Sequence, residues 1–276
     1  METIRIRDSN IFSTQYPIRD HPHFIWKWDT DRVDSFVTVF TDCFLREVDS
    51  CGSKYKVAWM LEPPTVNSDM YREMLQNYHK FDLVFTFDDR MLSIDHRFRF
   101  FSNGASWVWP NLRKVYDKTK MVSAIFSNKR FTEGHRLRHQ IASLWGDRLD
   151  LMGSGYRPLE NKIEGMIDYR YSVVVENCWD NCYFSEKLMD CFYTGAVPIY
   201  KGFSKSTEFF DGNGIITFDR ADQLGPILDS IGEEDYVSRL DAIKANFVMA
   251  DKYSDMEYFL WINGLKSLFD MDRVTA

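Results

Sequence analysis

Nothing in the 276 residues approaches an uninterrupted apolar run of about 18, so no transmembrane helix is expected. The opening stretch, METIRIRDSN, has no apolar core and no small-residue cleavage site, so no signal peptide is expected either. Basic excess is missing too: 34 Lys and Arg stand against 41 Asp and Glu, a net charge of −7. Chains that grip duplex DNA or an anionic membrane lean the other way. No nucleic-acid partner is expected, and what remains open is a local basic site for phosphates. Cysteine is sparse and unpatterned. The five, at 43, 51, 178, 182 and 191, form no Cys-x-x-Cys pair and are odd in number. Reduced thiols in a cytoplasmic setting are therefore expected rather than a disulfide framework. There is no internal repeat and no low-complexity tract.

What is present is ordinary globular material, 45% hydrophobic and 27% charged, with a high aromatic share of 16%. That suffices for a core and excludes disorder as the main state. At roughly 150 residues per domain the length suggests two modest domains. Short apolar, β-rich runs at 36–40, 56–61 and 82–87 read as buried strands, and 68–78 between the last two carries helical spacing behind a Ser/Asp start. Strand–helix–strand with short joins is the grammar of a parallel sheet. The pattern breaks near 104–110 and restarts, with strands at 121–126, 149–152, 171–175, 196–200 and 215–218. Helices are expected at 134–144, 185–194 and 222–231, and two long helical segments close the chain. The fold class is α/β: an N-terminal Rossmann-like domain over 1–115 and a C-terminal one over 116–276, the last helix free to return to the first.

In a doubly wound sheet ligands gather at the carboxyl ends of the strands, which directs attention to one stretch. Tyr171-Ser-Val-Val-Val-Glu-Asn-Cys-Trp-Asp-Asn-Cys-Tyr-Phe-Ser-Glu-Lys-Leu188 runs on through Thr194-Gly-Ala-Val-Pro-Ile-Tyr-Lys-Gly202. A buried strand stops at Glu176-Asn177. After a polar loop Ser185 caps a helix whose first turn holds Glu186 and Lys187. Free N–H groups at a helix start, with a lysine beside them, suit a diphosphate whose charge grows as it leaves. Glu186 is placed to accept from sugar or ribose hydroxyls, and Tyr183 to stack on or bond to the same ligand.

These residues resemble the donor-binding signature of family 10 glycosyltransferases, the α-1,3/1,4-fucosyltransferases. That pattern runs Glu-Asn, a short loop, Tyr-x-(Thr/Ser)-Glu-Lys, then (Gly)-x-(Val/Ile)-Pro-(Ile/Val). Here it falls on Glu176-Asn177, Tyr183, Ser185-Glu186-Lys187 and Gly195-Ala-Val-Pro-Ile199. Upstream, Phe126-Ser-Asn128 followed by Arg136 and Arg138 is similar to the family's strand end and diphosphate-holding Arg. The resemblance covers about residues 119 to 260 and implies a GT-B architecture, two Rossmann-like domains facing a cleft. It implies an inverting, metal-independent transfer from a nucleotide-sugar donor to a glycan hydroxyl, with no further cofactor. Carried over by position, Asn177, Tyr183, Glu186 and Lys187 bind the donor, with Glu176 and Ser127 at the strand ends. Gly153, in Gly153-Ser-Gly155 at another strand end, lines the same pocket or is a turn. For the Arg, Arg138 is preferred over Arg136, with Arg130 third, because two side chains two apart on a helix face different ways. The family's default donor is GDP-fucose, and a UDP-sugar such as UDP-xylose is the alternative. Lys187→Ala is expected to cut turnover and leave folding intact.

Inverting transfer needs a carboxylate to take the acceptor's proton. Glu62, in Trp59-Met-Leu-Glu-Pro-Pro64, directly follows a strand and is ranked first. Asp88, which with Asp89 follows the next strand, is ranked second. The loop over 101–109 carries Trp107 and Trp109, which offer indoles to an acceptor sugar. Against this stand a metal-dependent GT-A-like transferase using Asp29-Thr-Asp31, with Asp270-Met-Asp272 as a second such run, and a non-catalytic carbohydrate-binding module. His135 and His139, four apart, lack a third ligand for zinc. His21-Pro-His23 is a weaker signal still, and Gly212-Asn-Gly214 reads as a turn.

Overall fold

The computed structural model describes residues 2–8, 18–28, 35–179 and 182–275. It divides into two compact units, Met1–Phe101 with Glu257–Ala276, and Ser102–Met256. The first is built on seven strands: β1 (Glu2–Arg7), β2 (Ile18–His21), β3 (Phe24–Trp28), β4 (Val37–Thr41), β5 (Tyr55–Trp59), β6 (Leu83–Thr86) and β7 (Phe98–Phe100). They lie in the order β2-β3-β1-β4-β5-β6-β7, parallel except for β2 on β3. A 3-10 helix, Asp42–Ser50, and α1 (Ser68–Asn77) cover one face, and α2 (Asp89–Leu92) follows β6. Phe40, Ala58, Val84 and Phe98 on the sheet meet Leu45, Val48, Met70 and Met74 there in one buried cluster. α9 (Met256–Leu260) and α10 (Lys266–Thr275) complete this part of the chain.

Strands β4, β5 and β6 lie where the apolar runs put them. β1 and β3 were not read, because Thr3-Ile4-Arg5-Ile6-Arg7 alternates apolar with charged residues, a pattern of half-exposed strands. β1 is nonetheless interior, paired with β3 and β4, and even Arg5 is 4% exposed. The cap of α1 is Asn67, whose Oδ1 accepts from Met70 N at 3.3 Å, rather than Ser68.

The second unit has a five-stranded, wholly parallel sheet: β8 (Lys120–Ile125), β9 (Asp150–Met152), β10 (Tyr169–Val175), β11 (Val197–Lys201) and β12 (Ile216–Thr217). The order is β12-β11-β10-β8-β9. Its helices are α3 (Glu133–Trp145), α4 (Glu186–Thr194), α5 (Ser206–Phe209), α6 (Leu224–Ser230), α7 (Glu233–Ser238) and α8 (Leu240–Ser254). Both faces are covered. Val173 and Val175 point into a cluster with Phe126, Ile141 and Ile199, while Val174 joins Phe184, Leu188, Phe192 and Tyr200 on the other side. A parallel sheet buried on both faces explains why β10 reads as an unbroken apolar run.

Residues 102–115 pack in this unit: Ser106 Oγ donates to Asp190 at 2.7 Å, and Lys114 N to the Tyr193 carbonyl at 3.0 Å. No described helix is long and apolar enough to cross a membrane. None of the five cysteines, all among the described residues, forms a disulfide.

Leaving out the antiparallel β2 and the final β7, the two sheets share one strand order. In each, the chain's first strand lies between the second and third, so consecutive crossovers leave β1 and β4, or β8 and β10, in opposite directions. Those are the topological switch points, where a crevice opens beyond the strand ends.

Candidate active site

At the switch point of the second sheet, β8 runs into Phe126-Ser127 and β10 into Glu176-Asn177. α3 is capped by Thr132, whose Oγ1 accepts from His135 N at 3.1 Å, while His135 Nδ1 lies 2.6 Å from the same hydroxyl. The helix then sits directly on the end of β10. A Cβ at Gly134 would lie 1.8 Å from the Glu176 carbonyl oxygen, so only glycine permits this approach. Sequence reasoning used Gly134 only as the first residue of the helix over 134–144.

One turn on, Arg138 reaches the same strand end. It is 5% exposed; its Nε donates to the Val175 carbonyl at 3.0 Å, and Nη2 donates to that carbonyl and, at 3.0 Å, to Asn177 Oδ1. Burial lowers its pKa from the usual arginine range, with Glu176 and Glu186 opposing. Arg136 is exposed and donates to the Phe131 carbonyl at 3.2 Å. Arg130 is exposed as well. The two-residue offset therefore sends only Arg138 to the strand end.

The start of α4 is held by Glu176. This carboxylate is wholly buried, accepting from Ser185 N at 2.9 Å and from Ser185 Oγ at 2.7 Å. Ser185 caps the helix and Gly195 closes it in the left-handed region, φ 74°. Lys187 Nζ donates to Ser185 Oγ at 3.0 Å and lies 3.1 Å from Glu186 Oε1 and 3.4 Å from Glu176 Oε2. Burial acts to raise the pKa of Glu186, but Lys187 and Lys162 outweigh it and bring it down to about 2. Tyr183 is buried at 2% exposure beside this turn.

Two further charged groups escaped the sequence reading. Lys162 Nζ lies 2.7 Å from Asp190 and 3.8 Å from Glu186. Asp190 is fully buried and also accepts from Ser106 Oγ and, at 2.9 Å, from Trp107 N. It lies four residues after Glu186, on the same helix face, and that spacing was the available signal. It anchors the loop carrying Trp107 and Trp109, which are 45% and 53% exposed.

His135 senses the local field: burial and then Arg138, Lys129, Lys187 and His139 push its pKa down to about 4. It is neutral at pH 7, surrounded by cations at the starts of two helices. His139 is bound separately, Nδ1 to Tyr156 OH at 3.1 Å and Nε2 to the Lys129 carbonyl at 3.0 Å. Gly153 (φ 99°) folds the end of β9 onto β8, where a Cβ would come within 2.4 Å of the Phe126 carbonyl oxygen. Gly155 packs likewise against the Ser127 backbone. Beyond β11 and β12 lies a cavity of about 700 Å³, lined by Trp179, Lys201, Gly202, Thr217, Asp219 and Gln223 among others.

In the first unit, the two carboxylates ranked from sequence differ in kind. Asp88 is 2% exposed, caps α2 by accepting from Arg90 N at 3.0 Å, and pairs with the Arg90 guanidinium at 2.7 Å. Glu62 follows β5 and is half-buried; its backbone N–H, with that of Leu61, donates to Asp42 Oδ1, and its carbonyl accepts from Tyr71 OH at 3.1 Å. Asp42, at the end of β4, was not weighed from sequence. Burial pushes its carboxyl up to about 6, with backbone bonds from Leu61 and Glu62 opposing and the charges of Glu62 and Asp8 adding to the rise.

Asp29 and Asp31 lie outside the described residues, as does the side chain of Asp272, while Asp270 pairs with Lys266 at 2.5 Å. Among the described residues no three His, Cys, Asp or Glu are gathered as a metal site requires. His23 stacks on Tyr258, and Gly212–Gly214 is a 3-10 turn.

Two Rossmann-like units of this topology define the GT-B fold class. No family model matches the sequence, and no curated protein gives a match. Among solved structures, the chain is similar to an α1,3-fucosyltransferase with GDP. That match has 12% identity and a TM-score of 0.59, covering 92% of this chain and 90% of that one. The α1,3-fucosyltransferase with GDP-fucose is similar at 14% identity and a TM-score of 0.56, with the same coverage. At these identities the likeness is one of fold.

Proposed function

We propose that the chain is a glycosyltransferase of the inverting, metal-independent kind, moving a sugar from a nucleotide donor to a glycan hydroxyl. The observation that carries this reading is the convergence at the β8/β10 switch point. Arg138 and Lys187 meet there with the N-termini of α3 and α4, in a fold shared with a GDP-binding fucosyltransferase. Helix N-termini and fixed cations stabilise a departing nucleoside diphosphate without reorganising during the reaction. Asn177, Tyr183 and Glu186 border that place and are assigned to the donor, with Ser127 and Gly153 on the β8/β9 side. Glu176 acts one step back, by holding the cap of α4.

In the proposed chemistry the acceptor oxygen attacks the anomeric carbon and its proton passes to Glu62. The bond to the diphosphate oxygen breaks with its electron pair, and Lys187 and Arg138 compensate the charge. Asp88 is a weaker choice, because its carboxylate is already spent on Arg90 and the cap of α2. GDP-fucose is the proposed donor, on the resemblance of the donor segment and the shared fold. Five cysteines, odd in number and without a Cys-x-x-Cys pair, favour a reducing compartment, and we assign the cytoplasm.

The test is thermal unfolding with GDP, UDP, GDP-fucose and UDP-xylose, each with and without EDTA. A ligand at 100 times its Kd stabilises by about 2.7 kcal/mol. GDP and GDP-fucose are expected to raise Tm, equally in EDTA. A response to uridine nucleotides alone overturns the fucose donor in favour of a UDP-sugar. A response abolished by EDTA overturns metal independence, and no response to any nucleotide sinks the transferase reading.

A further inference from the structure

The switch point of the first sheet lies between β1 and β4, and the residue that ends β4 there is Asp42. Its backbone φ is +36°, the left-handed region that non-glycine residues avoid and that Asp and Asn tolerate best. No other described non-glycine residue has a positive φ. That conformation turns the side chain to the neighbouring strand end, where one oxygen, Oδ1, accepts from Leu61 N at 3.0 Å and Glu62 N at 3.3 Å. On the other side of the same turn Tyr71 OH donates to the Glu62 carbonyl, and Pro63 with Pro64 stiffens the exit. Asp42's own segment is tied to β1, since Thr41 Oγ1 donates to Asp8 Oδ1 at 2.7 Å.

We infer that Asp42 is the positioning residue for Glu62, clamping both amides of the Leu61–Glu62 turn so that the Glu62 carboxylate is presented in one orientation at the strand ends. The inference rests on Glu62 being the proton acceptor. The charged groups around Asp42 are mostly acidic. Glu62 and Asp8 face it from β5 and β1, while the nearby arginines are engaged elsewhere, Arg7 with Glu47 and Arg46 with Glu73. Ionising Asp42 therefore adds negative charge beside Glu62, so the clamp is also sensitive to pH.

The test compares wild type, Asp42→Asn, Asp42→Gly and Glu62→Gln. Asparagine keeps the accepting oxygen and the left-handed backbone; glycine keeps only the backbone. In wild type the amide resonances of Leu61 and Glu62 are expected to move together with a midpoint near pH 6, and to stop titrating in Asp42→Asn. With GDP-fucose as donor and water as acceptor, Asp42→Gly should lower kcat on the order of 100-fold at unchanged donor KM, the scale of a misplaced catalytic group. Asp42→Asn should stay within about threefold of wild type above pH 7, as expected when the clamp geometry persists. Amides that do not titrate, or full turnover in Asp42→Gly, overturn the inference. Full turnover in Glu62→Gln overturns the base assignment instead, and the amide titration then still reports on the clamp.

Discussion

Replacing Asp42 by asparagine is expected to make the protein more stable at pH 8 and no more stable at pH 4. The carboxyl is pushed from 3.8 up to about 6 in the folded chain, chiefly by burial. A difference of that size corresponds to about 3 kcal/mol at most. Its sign follows from proton linkage. A folded-state pKa above the unfolded value means the native state binds the proton more tightly. The stability it lends is therefore fully present below pH 3.8 and lost as pH rises through about 6. Above that, wild type holds an ionised carboxylate in a site that disfavours it. Asparagine removes that cost and keeps an oxygen for the Leu61 and Glu62 amides, at the expense of burying an NH₂ group. The net gain should be about 1–3 kcal/mol, or several degrees in Tm for a chain of this size. Thermal melts of both proteins in matched buffers from pH 4 to 8 measure it. A lower Tm for Asp42→Asn at pH 8, or the same difference at both ends of the range, refutes the reasoning. A stabilising substitution at this position also fits a group kept for its work at a cost in stability.

Lys187→Ala should abolish the GDP-induced shift and also destabilise the protein by about 2–3 kcal/mol, because it leaves Glu176 buried without its cation. That modifies the expectation of an intact fold, and the double variant Glu176→Gln/Lys187→Ala should recover Tm in thermal melts without recovering nucleotide binding. Gly134→Ala should cost about 3 kcal/mol or more, since its methyl group would meet the Glu176 carbonyl at 1.8 Å and force α3 off β10. Equal Tm and equal nucleotide response in Gly134→Ala would contradict the close approach.

The site at the end of β10 was legible because its chemistry is contiguous. Strand end, cap, Glu-Lys turn and closing glycine fall within about twenty residues, and each has a local physical signature. Ser185 and Gly195 do in the structure what their spacing announced. Groups whose roles depend on distant chain were not legible. Asp190 looks like one more polar residue on a helix until Lys162, 28 positions away, and the Trp107 backbone close on it. Asp88 follows a strand just as Glu62 does, and its pairing with Arg90, only two residues on, was a local signal that went unweighed. The largest gap came from β1. With that strand unread, the crevice beside β4 had no second wall, and Asp42 was one acidic residue after one strand.

Once β1 is in place, the strand order explains why chemistry collects where it does. Sequence ranking sought carboxylates after successive strands and so favoured Glu62 and Asp88, on β5 and β6. Topology instead marks the ends of β1 and β4, where Asp8 and Asp42 sit, and reaches Glu62 only through the Asp42 clamp. In the second sheet the same rule selects β8 and β10, the two strands whose ends meet Gly134, Arg138 and Asn177. One strand order thus gives two crevices of different polar character. In the first, burial and then the charges of Glu62 and Asp8 raise the pKa of Asp42; in the second, where cations and buried carboxylates meet two helix N-termini, burial and then the cations lower the pKa of His135. In the proposed function the first crevice serves proton removal from an acceptor and the second the departing diphosphate.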